Sequence, residues 1–274
     1  MKLISQLNLN ERFISMSFYL FLPSNVSPLY FPKNRISAFQ VKLPKRIKFN
    51  PNEYEVAITE FTYVQCIKTY FPETDRFIRF IDEPRNGISN LDRQLIPNYN
   101  YSDPQNLVME INKMFLTVFG DEIGHLTKSK SNKVILNVKR GQIWFSKLIG
   151  DVLGFTNSCK DEEGRYIFNA GIHAAENLPL RRGGMHHIFV YSDIVKTQIV
   201  GDSMVPLLRI VNITGEFGEV VTQTFRPYYL PIDKLEFDIV EILLCNEFGE
   251  EIIFEEGQSI VTLHFKKTNN GHKS

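Results

Sequence analysis

The feature that most constrains this chain is a period of two. Along most of its 274 residues, about ten strand-length runs alternate apolar with polar side chains. Alternation at every second residue sends one set of side chains to each face of a pleated strand. In residues 36–44, Phe39, Val41 and Leu43 fall on one face and Gln40 and Lys42 on the other. In residues 54–64, Tyr54, Val56 and Ile58 share a face opposed by Ala57, Thr59 and Phe61. In residues 259–265, Val261, Leu263 and Phe265 point inward, with Thr262 and His264 outward. The longest run, 234–245, sets Leu235, Phe237, Ile239 and Leu243 against Val240, Ile242 and Leu244, a strand buried on both sides at its end.

Further strand runs lie at 17–23, 77–81, 186–195, 196–202, 205–214 and 220–231. Pro23-Ser24-Asn25, Pro51-Asn52, Asn86-Gly87 and residues 246–249 supply the turns. The middle differs. Ser102-Asp103-Pro104-Gln105 is a helix start, with Ser102 as cap. Leu107, Val108, Ile111, Met114, Phe115 and Val118 then recur at helical spacing up to Gly120. Residues 133–145 read as two strands around a Lys139-Arg140-Gly141 turn, and 146–155 as a short helix stopped by Gly154. Residues 156–183 are polar and carry weaker patterning. The expected organisation is an N-terminal arm over 1–16, a sandwich from 17–100 and 184–267, an inserted α+β lobe over 101–183, and a frayed tail over 268–274. Many strands and few helices make an all-β, antiparallel sandwich or closed barrel the expected class. A jelly roll suits this pattern, and periodicity alone does not separate it from other Greek-key sandwiches.

Lys plus Arg equal Asp plus Glu at 31 each, so the chain lacks the basic excess of a phosphate-gripping protein. Cys66, Cys159 and Cys245 are far apart and odd in number, which reads as three reduced thiols in a protein made in a reducing compartment. No apolar run has the length of a membrane span, and the first residues lack the apolar stretch of a secretory signal. The nucleophile-elbow, Walker, zinc-protease and paired-cysteine motifs are all missing, so no catalytic constellation, cofactor or metal is expected. Arg181, Arg182 and His186, beside His187, form the most tempting local cluster. Adjacent His side chains in a strand point opposite ways and no further ligand sits at metal spacing, so a solvated loop able to touch a neighbour is the better reading.

The order of short words carries a resemblance. Phe18-Tyr19-Leu20-Phe21-Leu22-Pro23-Ser24-Asn25 is followed by Tyr30-Phe31-Pro32-Lys33-Asn34. Then come Ser37, Phe39, Val41-Lys42-Leu43-Pro44 and Tyr54-Glu55-Val56-Ala57. Near the other end stand Val190-Tyr191-Ser192-Asp193-Ile194-Val195, Val200-Gly201-Asp202, Pro206-Leu207-Leu208-Arg209 and Tyr229-Leu230-Pro231. Phe254-Glu255-Glu256-Gly257 and Val261-Thr262-Leu263-His264-Phe265 complete the set. In this order they resemble the single jelly-roll minor capsid (penton) proteins of Polinton/Maverick elements, adintoviruses and virophages. The last hairpin departs from that family, with Asn246-Glu247-Phe248-Gly249 in place of an Asp-Asp-x-Gly turn, and residues 156–183 have no counterpart.

The resemblance implies a non-enzymatic subunit of which five copies plug each icosahedral vertex of a virion, among trimers of a double jelly-roll major capsid protein. Tyr191, Asp193, Gly201, Asp202, Arg209, Pro231, Gly257 and His264 are its signature positions, with structural or subunit-contact roles. Of these, Gly201 and Gly257, with Gly249, read as positive-φ turns. Pro231, with Pro206 and Pro227, reads as a strand edge. Asp193 and Arg209 could pair, either inside the subunit or across the ring. A β-sandwich module for host attachment, binding a glycan or receptor, is the alternative.

Overall fold

A computed structural model describes residues 17–69, 71–82, 89–97, 101, 103–119, 123–156 and 160–268. The arm, the Asn86-Gly87 turn, Ser102, Gly120, Cys159 and all of the tail after Thr268 lie outside the described residues. The strands begin with β1 (Ser17–Pro23), β2 (Ala38–Lys48) and β3 (Tyr54–Val64). The next five are β4 (Phe77–Asp82), β5 (Ser89–Leu95), β6 (Gly124–Lys128), β7 (Val134–Phe145) and β8 (Tyr166–Ala174). The chain continues with β9 (His187–Ser192), β10 (Gln198–Val200), β11 (Ser203–Val205) and β12 (Leu207–Asn212). It ends with β13 (Val220–Thr224), β14 (Leu230–Pro231), β15 (Glu236–Cys245) and β16 (Ser259–Lys267). Two helices, α1 (Pro104–Met114) and α2 (Lys147–Leu153), fall between β5 and β8.

One sheet runs β1-β16-β3-β13, with β14 also on β3, and a second runs β12-β9-β15-β2. Their pairings are all antiparallel. Leave aside β4–β8, the β10–β11 hairpin and the short β14. Then the first sheet takes the first, eighth, third and sixth strands of the sandwich, and the second takes the second, seventh, fourth and fifth. That interleaving is the double Greek key of a jelly roll. The core between the sheets gathers Phe39, Val41, Val56, Phe61, Tyr63, Val190, Val240, Ile242, Val261, Leu263 and Phe265.

The strand faces in β2 and β16 match the period-two reading: Phe39, Val41, Val261, Leu263 and Phe265 are all buried. In β3 the register against β16 slips between Thr262 and Leu263, so Thr59 has no partner and forms a bulge. Tyr54, Val56 and Ile58 point inward before it, and Phe61 and Tyr63 after it. A strict alternation put Phe61 on the far face; the extra residue returns it to the core. In β15 the same device acts between Phe237 and Ile239, so Phe237, Val240, Ile242 and Leu244 share the core. The run 220–231 is not one strand but two, β13 and β14, both on β3.

The connection from β3 to β9 carries a further sheet, β5-β4-β7-β6 with β8 also on β7. Its own core joins Phe71, Ile78, Phe80 and Ile96 to Leu107, Ile111, Leu136, Ile143, Phe145, Phe155, Tyr166 and Phe168. The 77–81 strand, expected in the sandwich, and β5, which the sequence reading does not contain, therefore pair with the lobe. Their alternation could not say which sheet they join, because that depends on β7, about sixty residues later. Residues 133–145 form one strand rather than a hairpin. Gly141, at φ 63°, sits in a bulge where the register shifts against β8, and does not reverse the chain. The weakly patterned stretch after 156 contains β8, whose inner residues Tyr166 and Phe168 are fully buried. Asp103 caps α1, accepting from the Gln105 N–H at 2.8 Å, with Pro104 in the first turn. Gly154 ends α2 at φ 93°. Thr268 is tied down, its N–H donating to Glu53 O at 2.8 Å. Cys66 and Cys245 are free and buried. Among the described residues no helix is long and apolar enough to cross a membrane.

Candidate functional site

With both sheets filled on their inner faces, any partner must meet outer faces, sheet edges or loops. On the outer face of β9, Tyr191 lies between Leu207 of β12 and Leu243 of β15. Burial, aided by Cys245, holds its hydroxyl above the ordinary phenol range. Where β9 leaves the sheet, Asp193 takes over the ladder: its carboxylate accepts from the Glu241 N–H at 2.9 Å and pairs with Lys234. Arg209 is elsewhere. Its guanidinium stands 4.5 Å from the Phe225 ring centre and donates to Arg226 O at 3.1 Å. Of the two pairings open to Asp193 and Arg209, the one inside the subunit does not form, each residue having other partners there.

Gly201 and Asp202 make the tip of the β10–β11 hairpin. Gly201 has φ 62° with open space around it, and the Ser203 hydroxyl donates to Asp202 at 3.1 Å. The hairpin carries a cross-strand pair, Ile199 and Met204, exposed by 78 % and 61 %. Gly257 differs from Gly201. At φ 91°, a Cβ there would meet Val64 Cγ2 at 2.5 Å, so both backbone conformation and close packing exclude a side chain. Pro231 is exposed on the short β14, opposite Glu55, where a missing N–H costs little.

His264 stands on the outer face of β16 inside an aromatic cluster. The Tyr19 ring stacks on it at 4.4 Å, and its Nδ1 lies 2.7 Å from the Tyr229 hydroxyl. Burial, then the charge of Lys266, lowers its pKa. Tyr19 and Phe21 on the edge strand β1 remain 53 % and 65 % exposed.

The Arg181–Gly184 turn joins the lobe to the sandwich. Arg182, at φ 53°, donates to Gly215 O at 2.8 Å, while Gly183 packs under Thr69 and Phe71. Glu247 gathers the N–H groups of His186 and His187 at 2.6 and 2.7 Å and sits 3.0 Å from His187 Nδ1. So Arg182 braces the junction rather than reaching into solvent, while Arg181 and His186 are exposed. Among the described residues no cluster of three or more His, Cys, Asp and Glu has metal-binding geometry.

One constellation escaped the sequence reading. On the lobe sheet, Arg79 of β4 is the cross-strand partner of Trp144 of β7. The Arg79 and Arg165 guanidinium carbons lie 5.7 and 5.1 Å from the indole centre. With Asp75, Lys147 and Glu163 they line a pocket of about 450 Å³. A lone Trp was the only available signal, because its partners are brought together by strand pairing.

No protein-family profile matches this chain, and no curated protein matches it. Among solved structures it is similar to the mavirus penton protein, at a TM-score of 0.52 and 13 % identity, covering 92 % of this chain and 100 % of that one. It is also similar to a chain in the cryo-electron-microscopy structure of the Sputnik virophage, at a TM-score of 0.47 and 14 % identity, covering 92 % and 98 %. The mavirus likeness is one of fold, and a share of that size takes in the lobe as well as the sandwich. By its strand order and this likeness the chain is a single jelly roll with an inserted α+β lobe, the fold of the mavirus penton protein.

Proposed function

We propose that this chain is a structural, non-enzymatic subunit of a virion, forming a homopentamer at the icosahedral vertices and contacting a double jelly-roll major capsid protein. The observation that carries the reading is the likeness of fold to a penton protein, which extends over that protein's whole length. A closed ring needs two different surfaces on each subunit, one for each neighbour. The exposed aromatics of β1 and the Ile199–Met204 pair of the β10–β11 hairpin offer two such surfaces. Balanced charge leaves little net repulsion against packing copies side by side.

Co-expression with a double jelly-roll capsid protein tests the role. The chain should enter particles at the vertices. The double substitution Tyr19→Ser and Phe21→Ser should reduce its incorporation while the far-ultraviolet circular dichroism of the isolated chain stays unchanged. Particles that close normally with the wild-type chain left soluble would count against the proposal. Host attachment is a second reading, favoured by the lobe pocket around Trp144, and the two roles are compatible in one vertex protein.

A further inference from the structure

We infer that the pocket on the lobe sheet binds a sugar carrying a carboxylate. Three properties of the lining point there. First, Trp144 is partly exposed, and its indole N–H is already engaged, donating to Gln142 Oε1 at 3.2 Å. What it offers a ligand is an apolar ring, which suits the C–H face of a pyranose better than a polar head group. Second, the cations of the lining are matched except at one place. Lys147 pairs with Asp151, and Arg165 pairs with both Asp161 and Glu163. Arg79 makes no ion pair among the described residues; its guanidinium stands beside the Trp144 ring. A guanidinium fork with a free donor edge recognises a planar carboxylate by two parallel hydrogen bonds. Third, Asp75 and Glu163 stand in the same lining. They supply acceptors for sugar hydroxyls, and they repel a ligand carrying several negative charges. A phosphate chain or a nucleic-acid strand is therefore a poor fit, whereas a single carboxylate on a polyol meets one unmatched cation and a set of hydroxyl acceptors. A volume of about 450 Å³ accommodates one or two sugar rings.

Strand pairing fixes the parts that matter. Trp144 pairs with Arg79 on one side and Ile167 on the other, and Gln142 bonds to both the Trp144 indole and Asn169. The recognition elements thus sit on sheet rather than on mobile loop, which limits the ordering cost of binding. Sugar binding here is independent of the vertex role, and either can fail alone.

Trp144 is the chain's single tryptophan, so its fluorescence reports on this pocket alone. The experiment titrates the full chain with sialyllactose, sodium glucuronate, lactose and inorganic phosphate, each up to about 10 mM, the range of weak single-site affinities. Sialyllactose and glucuronate should give a saturable change, with lactose at least about tenfold weaker, the factor expected for losing one charged hydrogen-bonded contact. Arg79→Gln should abolish that preference, and Arg79→Lys, which keeps the charge but not the fork, should retain part of it. Circular dichroism confirms that each variant is folded. Flat titrations with both acidic sugars, equal responses to lactose and sialyllactose, a phosphate response as strong as theirs, or an unchanged preference in folded Arg79→Gln would each overturn the assignment.

Discussion

Two glycines that looked alike in sequence carry different costs. Gly201 and Gly257 both need positive φ, but only Gly257 has a wall behind it, in Val64. Gly201→Ala should therefore cost about 1 kcal/mol, the conformational penalty alone. Gly257→Ala should cost about 2–4 kcal/mol, because overpacking is added. Urea denaturation midpoints at unchanged slope measure both, and equal losses would remove Val64 from the explanation. Asp151 gives a prediction in pH. Burial opposes its ionisation, but hydrogen bonds from Tyr166, Lys160 and Lys147 outweigh that and depress its pKa. A carboxylate depressed in the fold stabilises above its unfolded value, about 3.9, and loses that contribution as pH falls through the folded value. Asp151→Asn should be less stable at neutral pH, and its stability should fall less steeply below about pH 4. A variant whose acid unfolding parallels the wild type would contradict this account of the Tyr166–Asp151 contact.

At the scale of elements, the β-bulges decide which side of a strand is core. Deleting Thr59 would make Ile58 and Glu60 consecutive opposite Leu263 and Thr262, an unbroken alternation that keeps Tyr54, Val56, Ile58, Phe61 and Tyr63 all inward. The shortened chain should therefore fold with its far-ultraviolet circular dichroism unchanged; an unfolded or insoluble product would show that the bulge itself, rather than the alternation, holds Phe61 and Tyr63 inward. At the α1 cap, Asp103→Ala should lose about 1 kcal/mol. These elements also mark what sequence could convey. Local signals held: the faces of β2 and β16, the proline and glycine that bound the helices, and the positive-φ turns. What failed depended on distant partners. A bulge is visible only against its neighbour, β4 and β5 join the lobe because β7 lies beside β4, and Gly141 kinks a strand rather than reversing it. The site divided in the same way. Gly257 and Pro231 announced themselves by residue type, whereas the Arg79–Trp144 pairing and the Asp193–Lys234 bond exist only through the folded topology.

At the scale of the whole molecule, the account rests on eight strands in jelly-roll order with a second core inserted between the third and fourth. The inserted lobe has its own sheet and helices, so change there need not disturb the sandwich that would pack at a vertex. That separation allows one chain to combine assembly through the sandwich with ligand contact through the lobe. The central claim, that copies of this chain close into a five-fold ring, is tested most directly by native mass spectrometry of the chain co-purified with its major capsid protein and released from the particles under mild conditions. The account predicts a pentamer, with no populated trimer, because a five-fold vertex demands cyclic symmetry of that order. A stable trimer, or a strictly monomeric chain recovered from intact vertices, would contradict it.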